Sequence, residues 1–291
     1  MGAGTLPPQT KIGRLREALL RLYEEHLAQD TLPTSGRFLW YELVQLGVVD
    51  KTKARGHPGV KRGVDQDVTE ALTQLRESGE IPWDAIADET RTLHDHQGFP
   101  TVREYVRAAL DQARLDPWAP DEAPLILCES RSLAGVLAGL VAEYRCLVAP
   151  TNGQTAGFLH NEVAPLLGDS ERRVLYLGDW DHRGGLIEAN TRRVLAEYGL
   201  GEWERVALTE VQVRDHDLPV ISKTDRAYKP PRAYPAVETE ALGQHIIVGL
   251  LRERLDALLP RLLADVLVRE RAEREVLRVE LGGQLEGEGA G

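Results

Sequence analysis

The sequence predicts an α/β protein, with a helical domain placed ahead of a Rossmann-like parallel sheet. Short apolar runs at 125–128, 146–149, 174–177 and 205–209 are separated by stretches of helix-length apolar periodicity. Strands alternating with helices in this way argue for parallel pairing through right-handed crossovers. Acidic residues then stand just beyond two of the runs, Glu129 after the first and Asp179 and Asp181 after the third. In open parallel sheets the ligand site lies off the carboxyl ends of the strands, where all three would stand. The first ninety residues, by contrast, carry three helical periodicities and a basic loop.

Within Val174-Leu175-Tyr176-Leu177-Gly178-Asp179-Trp180-Asp181-His182-Arg183-Gly184-Gly185, the aspartates are two positions apart. Residues i and i+2 of extended chain project to one face, so the two carboxylates should point the same way. Close carboxylates repel unless a cation lies between them, and oxygen ligands at a strand end suit Mg²⁺. A helix is expected from Leu186 to Tyr198. Upstream, Pro124-Leu125-Ile126-Leu127-Cys128-Glu129 leads into an apolar helix pattern at Leu133, Val136, Leu137, Leu140 and Val141, and a further helix is expected from Thr155 to Leu167.

The amino-terminal region reads as follows. Residues 1–10 form a disordered tail, and Lys11 to Gln29 an amphipathic helix. Thr34 and Ser35 offer caps for a helix from Arg37 to Leu46, closed by Gly47. Lys51, Lys53, Arg55, Lys61 and Arg62 follow with no acid among residues 51–62. Asp65 is the expected cap of a third helix reaching Glu77. Helix, helix, basic loop, helix suggests a winged helix-turn-helix over residues 11–92, with the five basic residues placed to meet DNA phosphates. A solvated surface loop is the plainer reading of the same run.

A helix from Leu93 to Trp118 is expected to link the domains over residues 93–120. His94 and His96 read as polar surface. The sheet domain would span 121–260, and 261–291 would hold a charged helix from Leu262 to Leu277 and a tail. Lys223 to Lys229 is locally basic and aromatic, as a DNA-facing segment or merely an exposed one. Val237 to Leu242 is expected to open a helix running towards Leu259. Glu238 and Glu240 at its start could be outer metal ligands, or simply acids favoured by the helix dipole.

Composition narrows the classes. The 291-residue chain is 42% hydrophobic and 28% charged, ordinary values for a globular protein. No run approaches the roughly 20 apolar residues that span a bilayer, and the first residues lack a signal pattern. Cys128 and Cys146 read as core hydrophobes in buried strands, so cytoplasm is the expected location. A net charge of −11 argues against a generic polyanion binder, although DNA affinity depends on local charge. No Walker A or Gly-x-Gly-x-x-Gly pattern occurs. Any ATP-driven step would need an ATPase partner.

Asp179-Trp180-Asp181-His182-Arg183-Gly184, preceded by Glu129, resembles the Asp-x-Asp-Pro-x-Gly signature of the topoisomerase VI A subunit and its meiotic break-forming relatives. These are Toprim proteins, and His182 stands where they usually carry proline. The resemblance implies a Toprim domain in which Asp179 and Asp181 bind Mg²⁺ or Mn²⁺, with Glu129 as general acid/base or further ligand. Arg37-Phe38-Leu39-Trp40-Tyr41 is similar to the family's Arg-x-x-aromatic-Tyr. That likeness implies Tyr41 as nucleophile on a DNA phosphate and Arg37, one helical turn away, as its partner. Packing of a helical core is the plainer role for Trp40 and Tyr41. Val237 to Leu242 resembles the family's Glu-x-Asp-Ala-Leu element, with Glu240 for aspartate.

The family acts on double-stranded DNA as a homodimer in which the tyrosine of one subunit meets the metal of the other. The chain is shorter than most members, a size that suits the Toprim nucleases of plasmid-defence systems, some of which cleave with metal-activated water. A non-catalytic DNA-binding regulator and a Toprim nuclease acting on RNA are the competing readings.

Overall fold

The computed structural model describes residues 10–55, 60, 62–87, 98–119, 121–151, 158–167, 172–225 and 228–287. Lys61, His94 and His96 lie outside them. Three helices form the amino-terminal unit: α1 (Lys11–Ala28), α2 (Gly36–Gln45) and α3 (Val64–Glu77). Each apolar stripe is buried, with Leu15, Leu19, Leu22, Leu39, Leu43, Val68, Leu72 and Leu75 in one core. Ser35 caps α2 by accepting from the Phe38 N–H at 3.3 Å.

The expected cap of α3 is corrected. The helix starts at Val64 behind Gly63, whose N–H donates to the Gln66 side chain at 3.2 Å, while Asp65 accepts from the Arg55 N–H at 2.7 Å. After α3 the chain makes only a parallel bridge from Ile86 back to Thr34. Among the described residues no hairpin forms a wing, so the structure supports a three-helix unit.

The linking helix is shorter than expected. Thr101 caps α4 (Val102–Gln112), which buries none of its residues. Pro100 and Pro117 flank it, and neither can donate to a continuous helical ladder. The chain then turns inward: Trp118 is buried and donates from its indole to the Tyr144 carbonyl at 2.7 Å.

The α/β expectation holds. Strands β1 (Leu125–Cys128), β2 (Leu147–Pro150), β3 (Val174–Leu177) and β4 (Trp203–Ala207) form one parallel sheet in the order β2-β1-β3-β4. β1 and β3 are buried along their whole length, as strands covered on both faces must be. On one face Ile126, Cys128, Leu175 and Leu177 meet α5 (Arg131–Glu143) and α8 (Gln244–Leu258). On the other, Leu125, Leu127, Val174 and Tyr176 pack with Leu159, Val163 and Leu195. Val194 and Leu195 come from α6 (His182–Ala196).

The described part of the expected 155–167 helix is one wide turn, Leu159–Val163, followed by a tight turn at Ala164–Leu166. Pro165 lacks the N–H that a regular helix would need there. Cys128 is buried within β1, whereas Cys146 is partly buried just before β2, and the two do not form a disulfide.

After β4 come α7 (Glu210–Asp215) and an antiparallel hairpin, β5 (Ile221–Asp225) and β6 (Arg232–Ala236). The basic-aromatic segment therefore lies partly in a strand. The helix expected from Val237 is interrupted: Thr239–Leu242 is a tight turn, and Gly243, at φ +88°, breaks the chain before α8 starts at Gln244. A positive φ is costly for any residue with a Cβ, so the break belongs to the glycine. Glu238 and Glu240 thus precede the α8 terminus, and the helix-dipole reading of them is set aside. The last helix, α9 (Leu263–Gly287), packs along α4. Among the described residues, no helix is long and apolar enough to cross a membrane.

The two cores meet at α2. Leu39 and Leu43 belong to the helical core, while Phe38 and Tyr41 belong to the core of the sheet domain. Gln244 reinforces the contact by donating to the carbonyls of Thr31 and Pro33, and Gln45 donates to that of Ala241.

Candidate active site

Because β1 and β3 are neighbours in register, their carboxyl ends bring Glu129 and Asp179 together. The Glu129 N–H donates to the Leu177 carbonyl at 2.9 Å, and the Glu129 carboxylate accepts from the Asp179 N–H at 3.1 Å. Two residues on, Asp181 caps α6 by accepting from the Gly184 N–H at 2.6 Å. The helix therefore begins at His182, four residues before the expected start. A Cβ on Gly184 would stand 2.6 Å from the Asp179 carbonyl oxygen, so this close approach requires glycine. Arg205 fastens the same loop from β4, donating to the carbonyls of Gly178 and Asp179 at 2.7 Å each.

The expectation that Asp179 and Asp181 face the same way is met. Lys223 on β5 places its Nζ 2.8 Å from Asp181 Oδ2, 3.9 Å from Asp179 Oδ2 and 3.5 Å from Glu238 Oε1. The other oxygen of Asp179 accepts from the backbone and hydroxyl of Thr239 at 2.9 and 3.1 Å. Trp180 pairs with Val237 in an antiparallel bridge, which holds the turn bearing Glu238 and Glu240 against the aspartates.

Crowding shows in the protonation of the centre. Burial, reinforced by Asp179 and Asp181, pushes the Glu129 carboxyl up to about 7. Glu238 is raised by burial and by Glu240, against the pull of Arg37. For Asp181 burial is the largest influence and acts upward. The Gly184 N–H and Lys223 together outweigh it and hold this carboxyl below its usual range.

Arg37 reaches acidic side chains rather than its expected partner Tyr41. Its guanidinium turns from Tyr41 to Glu240 at 2.9 Å and Glu238 at 3.3 Å. Glu240 is 1% exposed and also accepts from the hydroxyls of Ser130 and Ser132. Lys51 is the cation that meets the phenol. Its Nζ donates to Tyr41 Oη at 3.1 Å and lies 3.9 Å from Glu238 Oε2. Burial, with Lys223 and Arg37 nearby, brings the Lys51 ammonium down to about 8. Tyr41 is only 6% exposed and is packed, but in the sheet-domain core rather than the helical core expected of it, with its hydroxyl meeting Lys51.

The basic loop divides. Lys51 faces the centre, whereas Lys53 is exposed, 3.8 Å from Asp50. Arg62 is paired with Asp67 and Glu70 of α3, and Arg55 is exposed. Of the clefts that adjoin the centre, two are bordered by Asp179. One, of about 520 Å³, is bordered by Asp179, Asp181, His182, Arg205 and Tyr234. The other, of about 510 Å³, is bordered by Arg37, Glu129, Ser130, Asp179 and Glu240.

Among the described residues, no group of three His, Cys, Asp or Glu side chains is gathered closely enough to stand as a metal cage by itself. The donor chemistry nevertheless suits a hard divalent cation. Oxygens of Asp179, Asp181 and Glu238 already converge on one positive charge, and Glu129 adjoins them. Sequence reasoning missed Lys223, Arg205 and Lys51 in these roles. Each acts across a long sequence separation, or from a loop, with no spacing signature. Comparison with protein-family models, with curated proteins and with solved structures finds no match.

Proposed function

We propose that this chain is a metal-dependent DNA-cleaving enzyme of the Toprim kind. The observation that carries the reading is the meeting of Glu129, Asp179 and Asp181 at the carboxyl ends of adjacent parallel strands, in a centre that Lys223 of the β5–β6 hairpin enters and Arg37 of the helical unit borders. Asp179 and Asp181, with Glu129 beside them, would hold Mg²⁺ or Mn²⁺. The ion would supply neutralisation of charge on a scissile phosphate. Arg37 and Lys51 would add positive charge at the edge where a phosphate approaches, and the exposed Lys53 and Arg55 would extend it along duplex DNA. The three-helix unit would serve as the reader of the duplex, the role that its helix, helix, basic loop, helix order suggests. Glu129, with a carboxyl titrating near neutrality, suits proton transfer during phosphodiester cleavage.

Two attacking groups fit this site. Tyr41 is favoured by its Lys51 contact beside the carboxylates, and water by the burial of the phenol in a core. Supercoiled plasmid with Mg²⁺ or Mn²⁺ tests the reading and separates the two. Wild type is expected to nick or linearise it, and Asp179→Ala to be inactive. Loss in Tyr41→Phe as well, with protein left on 5′ ends, assigns a transesterase; retained cleavage assigns water. Intact plasmid that wild type binds equally well with and without metal would instead favour a DNA-binding regulator, and cleavage confined to RNA an RNA nuclease.

A further inference from the structure

We infer that Lys223 is a tethered cation of the carboxylate centre, competing directly with a divalent ion and coupling metal loading to the position of the β5–β6 hairpin. The inference rests on the metal-binding reading above and extends it to a residue outside the acidic motif. Three observations support it. The Lys223 Nζ is the shared partner of three carboxylate oxygens drawn from two separate segments, at 2.8, 3.5 and 3.9 Å. Those oxygens, Asp181 Oδ2, Asp179 Oδ2 and Glu238 Oε1, are the ones pointing away from the backbone groups and Arg37 that hold their companions. Finally, the lysine stands on a two-stranded hairpin outside the parallel sheet, so it can move with the hairpin without breaking a pairing of the parallel sheet.

The physical consequence is direct. An ammonium and a divalent ion cannot both lie within contact of the same oxygens without strong repulsion. Metal entry must therefore displace Lys223, and the lysine must weaken metal binding by its own affinity for the site. By linkage, metal must loosen the hairpin as much as the hairpin's lysine weakens the metal. Lys223 is already paired with Tyr234 across the hairpin, and the Tyr234 ring stacks on His182 at 4.1 Å next to Asp181, so a displaced ammonium stays within this cleft.

The test is calorimetric titration of the full chain with Mn²⁺ in the absence of DNA, paired with hydrogen exchange over residues 221–236. Lys223→Met should tighten Mn²⁺ binding roughly tenfold, within the usual range of site coupling. In wild type, Mn²⁺ should speed exchange in the hairpin. Lys51→Met controls for charge alone, since Lys51 approaches Glu238 from another side at 3.9 Å without touching the aspartates. An equal gain in both variants, or unchanged or weaker binding in Lys223→Met, would overturn direct competition while leaving the metal-dependent reading intact. Mn²⁺ binding by neither wild type nor Lys223→Met would overturn both. Circular dichroism of each variant checks that the hairpin and sheet remain folded.

Discussion

Replacing Glu129 by glutamine should stabilise the metal-free protein and at the same time disable its proposed chemistry. The carboxyl titrates near 7 in the fold against 4.5 in its ordinary state, chiefly through burial and secondly through Asp179. The fold therefore binds this proton more tightly than the unfolded chain does. The associated stability is complete below pH 4.5 and is lost as pH rises through about 7. Each pKa unit is worth 1.36 kcal/mol, so the full displacement sets a ceiling of about 3 kcal/mol, and solvent at the cleft lowers it to roughly 1–3 kcal/mol. Glutamine keeps the neutral form at every pH and can still accept from the Asp179 N–H.

Urea denaturation in chelator at about pH 8 and again near pH 4.5 measures the effect. Glu129→Gln should be the more stable by roughly 1–3 kcal/mol at the higher pH and nearly equal to wild type at the lower. Adding Mn²⁺ should then stabilise wild type more than the variant, because only a group that binds the ion gains by mass action. A destabilised variant at about pH 8, or a difference indifferent to pH, would refute the electrostatic account of this centre.

Gly184→Ala should damage the site without touching a charged group. The new methyl meets the Asp179 carbonyl oxygen at 2.6 Å, so α6 or the aspartate loop must shift, and plasmid cleavage should fall by more than tenfold, the scale expected of a misplaced catalytic group. Near wild-type activity would show that the loop tolerates displacement. Mixing Tyr41→Phe with Asp179→Ala tests whether the centre works within one chain. If each variant alone is inactive, the two should remain inactive together, because Lys51 links phenol and Glu238 in the same molecule. Recovered cleavage on mixing would establish the exchange between subunits that the family resemblance implies.

The parallel sheet was legible because β1 and β3 are short uniform apolar runs, the expected signature of strands buried on both faces. Glu129, Asp179 and Asp181 were legible for a related reason: each follows a strand closely, and strand neighbours fix what their ends can reach. Boundaries failed where one residue overrode a periodic pattern. Gly243 split the helix expected from Val237, Pro165 spoiled the one before Leu167, and Asp181 started α6 early by capping it. The partners of the centre were less legible. Arg37 was singled out for a phenol one turn away, yet its guanidinium pairs with acids two hundred residues further on, because burying Glu240 demands a cation. Such demands arise only once the chain has folded.

The sharing of α2 between two cores ties the helical unit to the acidic centre. On one side of the helix Leu39 and Leu43 fix it among α1 and α3; on the other, Phe38 and Tyr41 are sealed into the sheet domain. Uncovering those two rings would cost roughly 1.5–3 kcal/mol each, before the contacts of Gln244 and Arg37 are counted. The helical unit is therefore held against the carboxylates by apolar burial, while the polar residues between them set the geometry. A phosphate guided by Lys53 or Arg55 would meet Arg37, Lys51 and the carboxylates on the same rigid edge. Tyr41 thus packs through its ring and meets Lys51 through its hydroxyl, so burial of the ring and a part for the hydroxyl in the proposed cleavage are compatible rather than opposed.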